Sequence, residues 1–189
     1  KSFAEAVFFG NAGAESVEAS IKLMRKYHSA NGNPERYRII SFTGSFHGRT
    51  LATISAGASD AHRAGFGPTV DGFDHVAFGN MNEVRAAITG ETAGIMIEPV
   101  QGEGGFYDVP AGFFKQLREI CDKHGILLIA DEIQTGFART GKMFAMEHHG
   151  VAPDLTTMAK GLAGGFPLAA VTGRASVMDA ANPGGLGGT

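Results

Sequence analysis

The sequence lacks three features that would each point to a particular class of protein. It contains one cysteine, Cys121, among 189 residues, so a domain held together by disulfides within the chain is excluded. It has no apolar run near the roughly 20 residues of a membrane-spanning helix, and its opening does not have the layout of a signal peptide. We therefore expect a cytoplasmic protein with no membrane partner.

The sequence also lacks any long run of one charge. Sixteen Lys and Arg residues face 19 Asp and Glu residues, the net charge is -3 and the pI is about 6.2. This balance does not provide the basic patch that nucleic acid would require. Because 43% of the residues are hydrophobic, the chain has the composition of an ordinary globular domain, and we expect a small-molecule partner.

The order of apolar segments predicts an α/β sheet. Strand-like segments are apolar along their whole length and alternate with amphipathic helices, which is typical of a sheet covered on both faces. We predict helices over 15–27 and 110–125, and helical turns over 82–88 and 142–150. The predicted strands are 37–42, 75–78, 93–98, 126–131, 154–159 and 167–173.

Three polar residues, Glu98, Asp131 and Lys160, stand at the ends of such strands. Open α/β sheets bind ligands at the carboxyl ends of their strands. A buried, ionised Asp131 would cost several kcal/mol, on the order-of-magnitude scale, unless a cation or several donors meet it. Lys160 precedes a glycine-rich turn and fits a solvated amine as well as a Schiff-base lysine. Pyridoxal 5'-phosphate (PLP) would explain both residues, because an acid pairs with its pyridinium nitrogen.

Two further segments fit such a cofactor. In "NAGAESVEASIKL", Gly13 and Ala14 begin a helix whose free amides suit a phosphate group, although an ordinary capped helix has the same pattern. In "SFHGRT", Phe46 beside His47 has a ring that suits one face of the cofactor. A lone phenylalanine is more often a core residue.

Motifs that would indicate a nucleotide-binding site or a metal site match the sequence less well than the PLP interpretation does. "GFARTGKM" matches a P-loop up to Met143, where a magnesium-binding Ser or Thr is needed, and no strand directly precedes Gly136. The glycines of 102–105 are too few for a dinucleotide-binding fingerprint. His148 and His149 are adjacent, so on a helix they would point about 100° apart. With no spaced Cys or His residues beside them, we predict no metal site.

Several stretches together resemble the class-III PLP-dependent aminotransferases, a group that includes the ornithine, acetylornithine and 4-aminobutyrate enzymes. The resemblance implies the large domain of fold type I: three α/β/α layers with a mostly parallel seven-stranded sheet, in a homodimer whose interface completes the site. Residues 1–189 would be the major part of that domain, with an N-terminal segment and a small C-terminal domain outside them. The matching stretches are "NAGAESVEASIKL", "SFHGRT", "IEPVQGEGG", "LLIADEIQTGFARTG", "PDLTTMAKGLAGGFPLAAV" and "GGLGGT".

The resemblance also implies roles for the residues nearest the reaction. Lys160 would form the Schiff base with the cofactor and then shuttle a proton, and Asp131 would hold the pyridinium. Gln134 would hydrogen-bond the side of the ring that carries the phenolic oxygen. Glu98 would lie on the side of Gln134 that faces away from the cofactor and would help to hold Gln134 in position.

Other residues would bind the remainder of the cofactor. By the same resemblance Phe46 would stack on the ring with His47 alongside it, and Gly13 and Ala14 would donate amides to the phosphate. Thr189 would reach the phosphate bound by the neighbouring subunit, which makes the site composite.

The resemblance further implies a gate for substrates. Glu103 would pair with an arginine beyond residue 189 when an ω-amino substrate binds, and would release it for a 2-oxo acid. The expected partners are an amino donor and 2-oxoglutarate. Residues 153–189 are similar to the 4-aminobutyrate branch and residues 75–105 to the acetylornithine branch, and we favour 4-aminobutyrate. The alternatives are an acetylornithine or ornithine aminotransferase, a PLP-dependent lyase or decarboxylase, and a catalytically silent subunit of the same fold.

Overall fold

The computed structural model describes residues 2–187, and seven strands in this range form one sheet. The strands are β1 (Ala6–Gly10), β2 (Arg38–Phe42), β3 (Phe73–Val76), β4 (Thr92–Ile97), β5 (Leu127–Asp131), β6 (Leu155–Met158) and β7 (Ala169–Gly173). Their order across the sheet is β1-β7-β6-β5-β4-β2-β3. Strand β7 is antiparallel to both its neighbours and the other pairings are parallel. The predicted mostly parallel, seven-stranded sheet is confirmed.

Helices cover both faces of this sheet. They are α1 (Gly13–Ala30), α2 (Leu51–Ala56), α3 (Asp60–Arg63), α4 (Met81–Ala87), α5 (Phe113–His124) and α6 (Ala175–Met178). Helices α1 and α6 contribute to the core on one face, and α4 and α5 to the core on the other. The three-layer α/β/α architecture is therefore confirmed. Within the described range no helix is long and apolar enough to cross a membrane.

The two cores explain why the strands are apolar at every position. Successive side chains of a strand point to opposite faces of a sheet. In β4, Ile95 and Ile97 pack in the core that contains Phe114 of α5, whereas Met96 packs in the core that contains Leu23 of α1. All of these side chains are buried. If apolar and polar residues alternated along β4, the polar side chains would enter one of the two cores. The strand therefore has apolar residues on both faces.

The helical turns predicted over 142–150 are only partly present. The segment contains only a 3-10 turn, Ala145–His148, preceded by Phe144 in an extended conformation. Gly141 and Gly150 flank it with φ of 90° and 64°, in the left-handed region that ends a helix. Only the second half of the segment between these glycines is therefore helical.

Strand β1 is missing from the sequence-based prediction. Its side chains alternate between half-buried and exposed, with Val7 49% and Phe9 58% exposed, because β1 is an edge strand. It pairs with β7 in the register Ala6↔Gly173, far away in the sequence. A pattern read locally does not reveal such a partner.

Candidate active site

Asp131 is the last residue of β5 and is 4% exposed. Its Oδ2 lies 2.7 Å from Nδ1 of His47. Its Oδ1 accepts hydrogen bonds from the hydroxyl of Thr157 at 3.0 Å and from the backbone amide of Ile133 at 3.2 Å. A carboxylate has about four acceptor positions. Three are used, so Asp131 is held rigidly and retains one acceptor position for a further donor such as a pyridinium N–H.

His47 is the ionisable side chain that the structure places against Asp131. The imidazole is 2% exposed and follows β2, two strands away from β5 in the sheet. Burial acts to lower the pKa of His47, but the hydrogen bond and the charge of Asp131 outweigh burial and raise the pKa. His47 therefore donates from Nδ1 to Asp131.

Lys160 begins a 3-10 turn, Lys160–Ala163, two residues after β6. Its Nζ donates to Oε1 of Gln134 at 2.5 Å. The φ of Lys160 is 37°, a left-handed conformation that costs about 1–3 kcal/mol in a residue with a side chain. The amide of Gln134 lies against Gly102, where a Cβ would be 2.5 Å from the Gln134 nitrogen. A side chain at residue 102 would displace the Gln134 amide from this position.

The first turn of α1 leaves two backbone amides without acceptors. Glu15 folds back, and its Oε2 accepts from the amides of Asn11 at 2.6 Å and Ala12 at 2.9 Å. No acceptor within residues 2–187 takes the amides of Gly13 and Ala14, which point out of the helix N-terminus. Because the helix dipole favours negative charge there, the pair suits a phosphate.

This helix end lies beside the ends of β5 and β6. A Cβ on Gly13 would be 3.1 Å from Cδ1 of Ile133 and 3.5 Å from Cβ of Ala159, the neighbour of Lys160. Gly48, which follows His47, packs equally closely on Ala14, since a Cβ there would be 2.9 Å from the alanine Cβ. The structure thus brings the predicted phosphate amides, the lysine and the histidine segment to one edge of the sheet.

Glu98 contacts the His47 segment. Its Oε1 accepts from the backbone amide of Phe46 at 3.3 Å, and no hydrogen bond within the described residues joins it to Gln134. The sheet order explains this position, because β4 lies between β5 and β2 and its carboxyl end faces the segment after β2. Burial raises the pKa of Glu98 to about 7, and the charge of Asp131 adds to this effect.

The ring of Phe46 is half-buried. It meets the ring of His62 edge-on, with centroids 5.7 Å apart, and the guanidinium carbon of Arg49 lies 5.2 Å from its centroid. Arg49 is a cation at the site that the sequence analysis did not single out. Its only sequence signal is its place in "SFHGRT".

Glu103 is exposed in the turn between Gln101 and Tyr107, which form an isolated antiparallel bridge. Thr189 lies outside the described residues. The roles predicted for both residues stay predictions.

A cavity of about 570 Å³ opens beside Lys160. Lys160 and Arg139 are the charged side chains that line it within the described residues, together with Gln134 and the aromatic rings of Phe106 and Phe137. The cavity therefore favours an anionic ligand. Arg139 was not predicted, because it lies inside a loop whose course no local pattern indicates.

Comparison with known proteins identifies similar aminotransferases. Acetylornithine aminotransferase of Mesorhizobium japonicum is 57% identical over 168 residues, which are 89% of this chain and 42% of that protein. Acetylornithine aminotransferase 1 of Bradyrhizobium diazoefficiens is 51% identical over 189 residues, which are 100% of this chain and 47% of that protein. The chain spans less than half the length of these relatives.

These relatives contradict the preference for 4-aminobutyrate, which was wrong. The relatives with 48–57% identity are acetylornithine aminotransferases. Residues 153–189, which suggested 4-aminobutyrate, contain β6, the Lys160 turn and β7. These elements form the sheet and position the lysine, so their sequence carries little information about the amine.

Solved structures share the fold. Ornithine aminotransferase of Toxoplasma gondii, in a structure with partial occupancy of PLP at the active site, has a TM-score of 0.94 and 35% identity over 98% of this chain and 45% of that chain. An omega-transaminase of Thermomicrobium roseum has a TM-score of 0.85 and 35% identity, covering 92% and 44%. A family model for class-III aminotransferases matches residues 1–189. The chain belongs to the class-III aminotransferase family.

Proposed function

We propose that the full-length protein is a PLP-dependent aminotransferase that moves the terminal amino group of N-acetylornithine to 2-oxoglutarate. One observation carries the cofactor assignment: three kinds of group that PLP needs lie at one edge of the sheet. These are the amine of Lys160, the remaining acceptor position of Asp131, and the free amides of Gly13 and Ala14. The acetylornithine aminotransferases at 48–57% identity support the donor.

Bound PLP would supply an electron sink next to the substrate carbon that loses a proton. Asp131, backed by His47, would keep the ring nitrogen protonated. Lys160 would attach the cofactor through its amine and, once released, would carry the proton. The hydrogen bond that this amine donates to Oε1 of Gln134 holds it in place. Gly13 and Ala14 would bind the phosphate.

The substrate class follows from the cavity and from amine chemistry. The acetyl group of N-acetylornithine converts the α-amine to an amide, so only the terminal amine is free to react. The carboxylates of the donor and of 2-oxoglutarate suit the guanidinium of Arg139, which lines the cavity beside Lys160. We retain Glu103 as the proposed gate and Phe46 as the residue stacking on the cofactor ring.

We also propose a cytoplasmic homodimer in which Thr189 contributes to the partner's phosphate site. The free, buried Cys121 agrees with a reducing compartment. Phe106, 78% exposed, and Phe166, 81% exposed, flank the Lys160 edge, and a second copy would cover this apolar surface.

The first experiment is an absorbance spectrum of the full-length protein with PLP, followed by borohydride reduction and peptide mapping. We expect a yellow band that bleaches and a pyridoxyl group on Lys160, with no label at this position in Lys160→Ala. No band, or a label on another lysine, would contradict the assignment and favour a catalytically silent subunit.

The second experiment identifies the reaction. The protein is incubated with 2-oxoglutarate and with N-acetylornithine, ornithine or 4-aminobutyrate in turn, and glutamate is measured. We expect the highest kcat/KM with N-acetylornithine. Release of carbon dioxide or ammonia without glutamate would instead identify a decarboxylase or lyase.

A further inference from the structure

Thr157 is a buried residue of β6 that contacts Asp131. It is 0% exposed, and its hydroxyl donates to Oδ1 of Asp131 at 3.0 Å. The two residues are paired in the sheet, in the register Asp131↔Thr157. The carbonyl oxygen of Thr157 also accepts from the amide of Glu132, the residue after Asp131, at 3.0 Å. Thr157 is thus bound to the end of β5 through both its backbone and its side chain.

The side chains of Thr157 and Asp131 point to the α1 face of the sheet. Alternate residues of a strand point to the same face. Leu155, two residues before Thr157, and Ile129, two residues before Asp131, both pack in the core that α1 covers. The hydrogen bond between Thr157 and Asp131 therefore lies on the side of the sheet that carries the helix end with the free amides.

The carboxylate of Asp131 needs donors to fix its orientation, because the torsion that rotates an aspartate carboxylate has only a broad preference. Its Oδ1 accepts from Thr157 and from the amide of Ile133, whereas within the described residues its Oδ2 accepts from His47 alone. Each carboxylate oxygen has two lone pairs. Both lone pairs of Oδ1 are used, so a further donor binds Oδ2. Of the two donors on Oδ1, only Thr157 is a side chain, and a substitution there removes it.

We propose that Thr157 is a positioning residue for the reaction: its hydroxyl holds Oδ1 of Asp131, so that Oδ2 is directed to the ring nitrogen of PLP. Thr157 acts through Asp131 and does not touch the cofactor in this scheme. The place of the ring nitrogen rests on the proposed function, whereas the hydrogen bond between Thr157 and Asp131 does not. Because Lys160 follows Thr157 by three residues, the same strand end would position the acid and the amine that the cofactor contacts.

A buried threonine in a strand also fills space, and two substitutions separate packing from hydrogen bonding. Thr157→Val keeps the branched shape and removes the hydroxyl, whereas Thr157→Ser keeps the hydroxyl and removes a methyl group. A positioning role predicts that the valine variant is impaired and the serine variant is not, and a packing role predicts the reverse. Thr156→Val is the matched control, because Thr156 is 3% exposed and points to the opposite face of the same strand.

The first measurement uses the full-length protein without PLP. Aspartate is labelled with 13C at Cγ, and Asp131→Asn assigns the Asp131 signal in the NMR spectrum. We expect Thr157→Val to shift this signal, because the carboxylate loses a donor, and Thr157→Ser and Thr156→Val to leave it near its wild-type position. An Asp131 signal that Thr157→Val does not move would overturn the proposal.

The second measurement is the single-turnover rate of the PLP-saturated, full-length protein with N-acetylornithine. We expect Thr157→Val to lower this rate by about tenfold or more, because a small displacement of a group at the reacting centre has an effect of this size. Thr157→Ser should stay within about threefold of the wild type and Thr156→Val within about twofold. A loss in Thr157→Ser as large as that in Thr157→Val would show that shape and not the hydrogen bond matters, and would contradict the positioning role.

Two further provisions keep the test decisive. If Thr157→Val does not fold, Thr157→Ala replaces it, with Thr156→Ala as its control. If the proposed function fails, the wild-type protein itself carries no pyridoxyl label on Lys160, whereas the PLP-free signal of Asp131 still reports on the hydrogen bond. Failure of the positioning role is therefore distinguishable from failure of the proposed function.

Discussion

Asp131 is held by donors from three parts of the chain: His47 after β2, Thr157 in β6 and Ile133 after β5. Since each donor fixes one lone pair, the direction of the remaining lone pair is fixed as well. A site that must protonate a ring nitrogen needs both the charge and this fixed direction.

The charge of Asp131 is therefore a target for mutation. Asp131→Asn keeps the size of the side chain but removes the charge and turns an NH₂ group toward donors. We expect the single-turnover rate with N-acetylornithine to fall by about 100-fold or more, as when an electrostatic contact to a reacting group is lost. Asp179→Asn, at an exposed helix end, should stay within about twofold. An Asp131→Asn rate equal to that of Asp179→Asn would show that the carboxylate charge is not used.

At the scale of residues, the sequence indicated candidate site residues but not which of their side chains are in contact. Lys160 and Asp131 could be predicted because each directly follows or ends an apolar strand. The contact of His47 with Asp131 spans 84 positions and depends on the sheet order, which no local pattern encodes. For the same reason the sequence placed Glu98 at this edge of the sheet but did not indicate its contact with the backbone amide of Phe46.

At the scale of elements, hydrogen bonds to the carboxylate of Glu132 stabilise the loop after β5. Its carboxylate is 0% exposed and accepts from the hydroxyl of Thr135 at 2.7 Å and from the amides of Ala145 at 2.8 Å and Met146 at 2.9 Å. One side chain thus joins both ends of the loop that carries Gln134. Burial raises the pKa of Glu132, while these donors oppose the shift.

Glu132→Gln should loosen this loop. The amide replaces one acceptor oxygen by an NH₂ group that faces other donors, so we expect the free energy of unfolding to fall by about 1–3 kcal/mol. Urea denaturation measures the loss. Glu147→Gln is the matched control, because this exposed glutamate accepts a single amide, from Phe144, at the same 3-10 turn. Its effect should stay within about 0.5 kcal/mol, and equal losses in the two variants would contradict the fastening role of Glu132.

Elements with strong periodicity could be predicted within a few residues. Helix α5 was expected to stop at Gly125, which has a φ of 62° and ends the helix as predicted. Helices α2 and α3 were not predicted, because 6 and 4 residues are too short to show a period. Short elements are selected by their neighbours in the fold and not by their own sequence.

At the scale of the whole molecule, Asp154 connects separate layers. Its side chain is 3% exposed, and its Oδ2 accepts from Arg118 of α5 at 2.9 Å and from the amide of Leu128 in β5 at 2.7 Å. Its Oδ1 lies 2.5 Å from Nη2 of Arg174, which follows β7. This carboxylate therefore links a covering helix to two strands of the sheet.

Asp154→Asn should destabilise the fold as a whole. It leaves Arg118 without its buried partner, and breaking a buried ion pair costs about 3–5 kcal/mol. Thermal or urea unfolding measures the change. Asp122→Asn removes the other carboxylate that contacts Arg118, but this group is 67% exposed and its loss should cost at most about 1 kcal/mol. A cost for Asp154→Asn no larger than that of Asp122→Asn would show that the network is not structural.

At this scale the fold class could be predicted from the sequence, whereas the identity of the amino-donor substrate could not. Parallel strands buried on both faces have a distinctive pattern, so the α/β/α layers follow from the sequence. The antiparallel direction of β7 could not be predicted, because parallel and antiparallel strands that are buried on both faces have the same apolar pattern. The choice of 4-aminobutyrate was wrong: it was based on the likeness of residues 153–189 alone, whereas the relatives with 48–57% identity over most of the chain are acetylornithine aminotransferases.

The pairing of β1 with β7 has a consequence for the order of folding. The residues that pair, from Ala6↔Gly173 to Gly10↔Ala169, come from opposite ends of the described chain. Contacts of such long sequence separation form late, because closing a long loop costs entropy before any contact is made. The helix end with the free Gly13 and Ala14 amides directly follows β1. During synthesis, competence to bind a phosphate group should therefore arise only after the rest of the sheet is already in place.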